Sequence, residues 1–135
     1  MKAKLLYWIP TALVALTMAF GGAVDAMGTE AALEITRRLG YPDYFLTMLG
    51  VAKLLGVVAL LAPVPRWLRE WAYAGFTFDL IAAIISHLAV RDPIANAVVP
   101  AVVLVLVQIS AWAWRRRSAS AEDRPAVPSL APARS

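Results

Sequence analysis

Cysteine is absent from the chain, and histidine occurs once, at position 87. The first absence excludes disulfides, thiol nucleophiles and thiolate metal sites, while leaving the redox compartment open. The second leaves no set of imidazoles. One histidine with scattered carboxylates is too dispersed for a metal centre, and haem in a four-helix bundle ordinarily takes two axial ligands. The motifs G-x-S-x-G and H-E-x-x-H do not occur, nor does a glycine-rich phosphate loop after a strand. Charge is scarce, with Asp, Glu, Lys and Arg making up 16% of the 135 residues. The net charge of +4 comes mainly from short clusters between or after apolar runs. That pattern suits the positive-inside rule and anionic lipid, and it calls for no nucleic acid.

What the chain has is hydrophobicity: 61% of its residues are apolar and the mean hydropathy is +0.67. Soluble domains lie nearer about 45–50%, so one compact transmembrane domain is expected. Residues 5–24, after the cationic Lys2 and Lys4, form a first run long enough for a helix to span about 30 Å of hydrocarbon. A secretory signal peptide is the competing reading, with 24–26 as a loose cleavage site. The run is long for a signal's apolar core, and Tyr7 and Trp8 suit interface anchors. Pro10 is expected in the first turns, where a missing amide costs little. Residues 25–44 are more polar. Within them 30–39 has the period of a short amphipathic surface helix, ended by Gly40 at C′ and Pro42, with Tyr41 and Tyr44 at headgroup level.

Residues 45–62 are a second span, closed by Pro63 and Pro65 and carrying Lys53 between Gly50 and Gly56. Such small residues let a neighbouring helix approach closely. Spans over 71–90 and 94–114 follow. The last is rich in valine and leucine, and helix is still the practical choice in lipid. The fold class expected is therefore all-α: a four-helix transmembrane bundle over residues 1–117, followed by a disordered Ala/Pro/Ser-rich tail over 118–135. With the N-terminus inside, Lys2, Lys4, Arg66, Arg69, Arg115, Arg116 and Arg117 are cytoplasmic, against Arg37, Arg38 and Arg91 outside. Trp8, Trp67, Trp71, Trp112 and Trp114 fall at the same inner interface. Both signals favour an N-in/C-in, multi-pass protein of the cell inner membrane.

The residues that call for explanation are those charged within the spans, because an ionised side chain in hydrocarbon is rare without a partner or a purpose. Lys53 and Asp79 each lie eight residues along their helices, roughly 12 Å deep, so they match in depth on consecutive spans. They read as an ion pair or proton-sharing pair, with a structural clasp as the plain alternative. Ser86 lies about 20° from Asp79 around the helix and His87 about 80°. Asp25, after Gly21 and Gly22, reaches a similar depth to His87. An outward-opening polar pocket is expected, lined by Asp25, Ser86, His87 and Asp79, with Lys53 at its base and Tyr73 at its edge.

The segments LGYP at 39–42, GVAKLLG at 50–56 and EWAYAGF at 70–76, leading through Asp79 to Ser86 and His87, resemble the DoxX-like family of small four-helix bacterial membrane proteins. The resemblance covers about residues 4–117 and leaves out the proline-rich tail. It implies the four-span bundle and an uncleaved first helix. The family is named for a link to a terminal quinol oxidase and thiosulfate:quinone oxidoreductase, so quinone is the cofactor the resemblance suggests. Related bundles act as partners or assembly factors.

Three functional expectations follow. One is an inner-membrane protein whose buried cluster serves membrane redox or the handling of a small lipophile. Another is an intramembrane enzyme of isomerase or hydrolase type, with Asp79 and His87 as acid and base and Lys53 neutralising or orienting the aspartate. The third is a structural or assembly subunit. The partners expected are membrane lipids, a membrane oxidoreductase or other protein, and a second copy of the chain.

Overall fold

The computed structural model describes residues 2–125. Its elements are α1 (Lys2–Met27), α2 (Glu30–Arg38), α3 (Asp43–Leu61), α4 (Arg66–Ala89) and α5 (Ile94–Glu122). All but α2 are long and apolar enough to cross a membrane. Helix is the form that satisfies every backbone amide within its own segment, which a hydrocarbon solvent demands. Helices α3, α4 and α5 each begin directly after a proline, Pro42, Pro65 and Pro93, whose fixed φ and missing N–H suit that boundary.

The helices run past the apolar stretches that announced them. α4 starts at Arg66 rather than 71, and α5 continues to Glu122, so the first residues of the expected tail are helical. From 126 onward that tail lies outside the described residues. Because α1 begins at Lys2, Pro10 falls in its interior rather than its first turns.

Around the bundle the order is α1, α3, α4, α5, with α1 also packed on α5. Both termini of this four-helix ring lie at one end, where Arg66 on α4 pairs with Glu122 on α5 at 3.0 Å. The α3–α4 seam is the loosest of the four. The core is filled by Tyr7, Val14, Met18, Leu60, Phe76 and Val107, among others. Outside it stand Phe20 at 76% exposure and Phe78 at 72%, with Leu16, Leu55 and Val99 similarly bare. An apolar exterior of that extent suits lipid and would aggregate in water.

Two glycines set the α1–α3 distance. A Cβ on Gly50 would strike the Ala26 amide nitrogen, and it would stand 2.6 Å from the Gly22 carbonyl oxygen. Backbone thus lies on backbone, the close approach that small residues permit in membranes. α2 is then folded over this end of the bundle. Gly40, at φ 88°, donates to the Arg37 carbonyl, and Tyr41 donates to that of Thr36, the paired bonds of a glycine-terminated helix. Arg37 grips Asp43 through Nε at 2.8 Å and Nη2 at 2.6 Å, which ties the end of α2 to the start of α3.

Gly50→Ala is expected to destabilise the bundle by about 1–3 kcal/mol, the usual cost of overpacking. Gly21→Ala, where a Cβ would meet nothing within 4 Å, should be close to neutral. Denaturant unfolding of both variants in the same detergent checks the difference.

Candidate functional site

Three ionisable side chains from three helices meet inside the bundle. Lys53 Nζ on α3 donates to Asp25 Oδ2 on α1 at 2.8 Å and lies 3.6 Å from Asp79 Oδ2 on α4. The contact with Asp25 exists because the glycine approach brings α1 against the lysine's own helix: a Cβ on Gly22 would stand 2.9 Å from the Lys53 Cβ. The depth match between Lys53 and Asp79 holds, but Asp25 is the nearer partner. With two carboxylates to one ammonium, Asp25 is matched to the lysine and Asp79 keeps unused acceptor capacity.

The cluster is buried without being sealed: the side chains remain 14–17% exposed. What they face is a cavity of about 460 Å³ between α2, α3 and α4, with Asp25, Lys53 and Asp79 at its floor. Its walls are chiefly apolar, from Ile35 on α2 and Leu39 just after it to Phe45, Leu46 and Leu49 on α3 and Phe78, Ala82 and Ala83 on α4. A second hollow of about 260 Å³ continues along the α3–α4 seam beyond the cluster, toward Gly56, Leu68 and Trp71. Lys53, Asp79, Leu49 and Gly75 line both. The charged cluster therefore divides one long groove.

At the α2 end, Tyr41 and Ser86 join by a hydrogen bond of 2.8 Å between their hydroxyls. Tyr41 is steadied by stacking on Phe45, with ring centroids 4.7 Å apart. Ser86 lines the cavity as its position on α4 predicted. Tyr41, read from sequence as a headgroup anchor, also lines the cavity wall. Nothing in its local sequence distinguished the two roles.

His87 does not join the cavity. On α4, at about 100° per residue, the cavity face runs from Phe78 through Asp79 to Ala83, some 40° past the aspartate, and His87 lies beyond at about 80°. Its Nδ1–H donates to Asp92 Oδ2 at 2.7 Å. The turn after α4 brings that carboxylate back: Arg91 adopts φ 55°, and the Asp92 amide donates to the His87 carbonyl. This is the glycine-type helix ending made by an arginine, a conformation uncommon for residues with a Cβ. Arg38 on α2 donates to the same Asp92 oxygen at 3.1 Å. His87 thus belongs to a clamp holding α2 to the α4–α5 turn.

Tyr73 is also displaced from the expected pocket. It lies about 120° from Asp79 around α4 and points into the dry core. There its hydroxyl meets Ser110 Oγ at 2.8 Å, and Ser110 meets Thr11 Oγ1 at 2.7 Å. Thr11 in turn donates to the Tyr7 carbonyl at 2.6 Å. Among the described residues, no group of three or more His, Cys, Asp or Glu gathers that could hold a metal ion.

In the clamp, the His87 hydrogen bond first, then Asn96 and Arg38, hold the Asp92 carboxyl below the usual carboxylate range. A carboxyl depressed on folding contributes stability above its ordinary value near 3.8, and that contribution disappears as pH falls through the lower folded value. Acid should therefore loosen α2 from the α4–α5 turn. Thermal melts between pH 3 and 7 should show a steeper acid loss in the native protein than in Asp92→Asn, which starts less stable.

The sequence model described as the DoxX-like family matches residues 9–110. Comparison with curated proteins and with solved structures finds no match. The match takes in α2, α3, α4 and both carboxylates of the cluster, and with most of the chain covered the protein belongs to the DoxX-like family.

Proposed function

We propose that this chain is a multi-pass inner-membrane protein with both termini in the cytoplasm, and that its α2–α3–α4 cavity binds one small lipophile by a polar end. In this reading the bound molecule serves a membrane redox or lipophile-handling process. The observation that carries it is a charged cluster with spare acceptor capacity at the floor of an otherwise apolar cavity. A clasp alone would need the ion pairs but not the space. Apolar walls with a few convergent polar groups are the usual composition of a small-molecule site. Asp79, the more loosely held carboxylate, is the group that accepts a hydrogen bond from a hydroxyl or amine of the occupant, or takes up a proton. A quinol has such a hydroxyl, and so do many other membrane-soluble alcohols and phenols.

Acid–base catalysis by Asp79 and His87 together has less support, because His87 is engaged with Asp92 away from the cavity. The orientation rests on the excess of Lys and Arg at the end carrying the termini. α2 then lies at the outer surface as an amphipathic cover, its Ile35 and the capping Leu39 toward the cavity and Glu34 toward water.

Two experiments test this. The chain has no native cysteine, so single substitutions report topology cleanly. A membrane-impermeant maleimide on intact spheroplasts should label Ala31→Cys and spare Ser120→Cys; the reverse pattern inverts the orientation. For the cavity, lipophiles co-purifying with the full chain are extracted and identified by mass spectrometry. Asp79→Asn should retain about tenfold to a hundredfold less, matching the usual worth of a hydrogen bond to a charged group. Ala83→Phe, which fills the space without touching charge, should do the same. An undiminished yield from both variants would sink the binding reading. Loss of Asp79→Asn from the membrane, with normal retention by Ala83→Phe, would assign the cluster to the clasp.

A further inference from the structure

At the opposite end from α2, the start of α1 and the end of α5 flank a groove of about 590 Å³. Four cations line it, Lys4, Arg116, Arg117 and Arg124, and no acidic side chain does. Among the described residues none of the four forms an ion pair, whereas Arg37, Arg38, Arg66 and Arg115 all do. Glu122, the nearest acid in sequence to Arg124 after Asp123, is engaged with Arg66 at 3.0 Å. Four unmatched positive charges around one hollow repel each other and are stabilised by an anion between them.

Two of the arginines are held ready by aromatic rings. The Arg116 guanidinium lies 4.3 Å from the Trp112 ring centroid, and that of Arg117 lies 4.6 Å from the Tyr7 centroid. Stacking uses the face of a guanidinium and leaves its N–H edge free to donate, the geometry that matches a phosphate. Leu6 and Trp112, both about half exposed, continue the groove into the apolar flank of the bundle. Cations above and apolar surface below is the order of groups in a phospholipid. The groove sits where membrane-crossing helices end, so it stands at headgroup level whichever leaflet that is.

We propose that this groove binds the headgroup of an anionic phospholipid, its phosphate on Arg116, Arg117, Arg124 and Lys4 and the first part of its acyl chains against Leu6 and Trp112. The site is separate from the α2–α3–α4 cavity and does not depend on that cavity having a ligand.

Native mass spectrometry of the full chain in detergent, with dioleoyl phosphatidylglycerol, cardiolipin or phosphatidylcholine added, tests it. The native protein should retain the anionic lipids over phosphatidylcholine. Arg116→Gln/Arg124→Gln should retain them roughly thirtyfold less, at the usual surface contribution of two cations. Arg124 lies beyond the end of α5, so Arg124→Gln alone leaves the fold intact and should still give a several-fold loss. Arg91→Gln, which removes one positive charge at the opposite end of the bundle, should retain as the native protein does. Equal retention of phosphatidylcholine and phosphatidylglycerol, or unchanged retention by Arg124→Gln, overturns the proposal. Displacement of bound lipid by millimolar inorganic phosphate also overturns it, since the groove would then be a phosphate site.

Discussion

A charge inside hydrocarbon must be neutralised where it stands, and that constraint organises the bundle around Lys53. Asp25 comes from α1 and Asp79 from α4, so one ammonium holds together helices that leave each other's side of the ring. Removing one partner of a buried pair typically costs about 3–5 kcal/mol, because the other is left uncompensated. The glycine contact between Gly22 and Gly50 is the packing counterpart of this electrostatic requirement. It brings the α1 backbone close enough for the short Asp25 side chain to reach the lysine. On the other flank, Gly56 accommodates the Phe76 ring, which stands 2.6 Å from where a Cβ would be. α3 is therefore small where its neighbours must approach and charged where they must be held.

Two of the polar systems among the described residues differ in chemistry as they differ in surroundings. Thr11, Tyr73 and Ser110 are neutral hydroxyls in the dry core between α1, α4 and α5, each bonded to another. Among the described residues no buried side-chain nitrogen or oxygen lacks a partner. Such a closed network fixes helix positions and offers nothing to a visitor. The Asp25–Lys53–Asp79 cluster is ionisable, unequal in its numbers of acids and bases, and open to a cavity. Polarity is closed on itself where the bundle is tight and left open where the α3–α4 seam is loose.

Much of this was legible in the sequence. Apolar runs of membrane length determine the helix number, because hydrocarbon leaves so few alternatives to helix. The common depth of Lys53 and Asp79 followed from helical rise, and the helix period placed Ser86 on the Asp79 face. The failures have a common cause. His87 pairs with Asp92 only because Arg91 takes a left-handed conformation that arginine rarely adopts, so no glycine announced the reversal. Tyr73 and Ser110 meet across two helices, and single-helix angles say which way a residue points but not what awaits it there. The nearness of Asp25 to Lys53 depended on the tightness of one interhelical contact, which small residues permit without dictating. Basic residues were counted for topology, and their gathering around one groove required knowing that the first turns of α1 lie beside the last turns of α5.

The route to the cavity follows from the same physics. Water approaching from the α2 end meets the Tyr41–Ser86 hydrogen bond and the Arg38–Asp92 clamp, which close that end with polar contacts. The α3–α4 seam is bordered instead by exposed Leu55, Trp71 and Phe78, surfaces at home in lipid. At Gly75, which lines both hollows, there is empty space where a side chain would otherwise project. A lipophile bound as proposed would reach the cavity along this seam without giving up its apolar surroundings until its polar end met Asp79. A water-soluble ligand taking that route would have to lose its hydration before reaching the charged groups of the cluster. Under the binding proposed above, lateral entry would therefore select, before any contact with the cluster, for an amphiphile that an apolar cavity with a charged floor can hold.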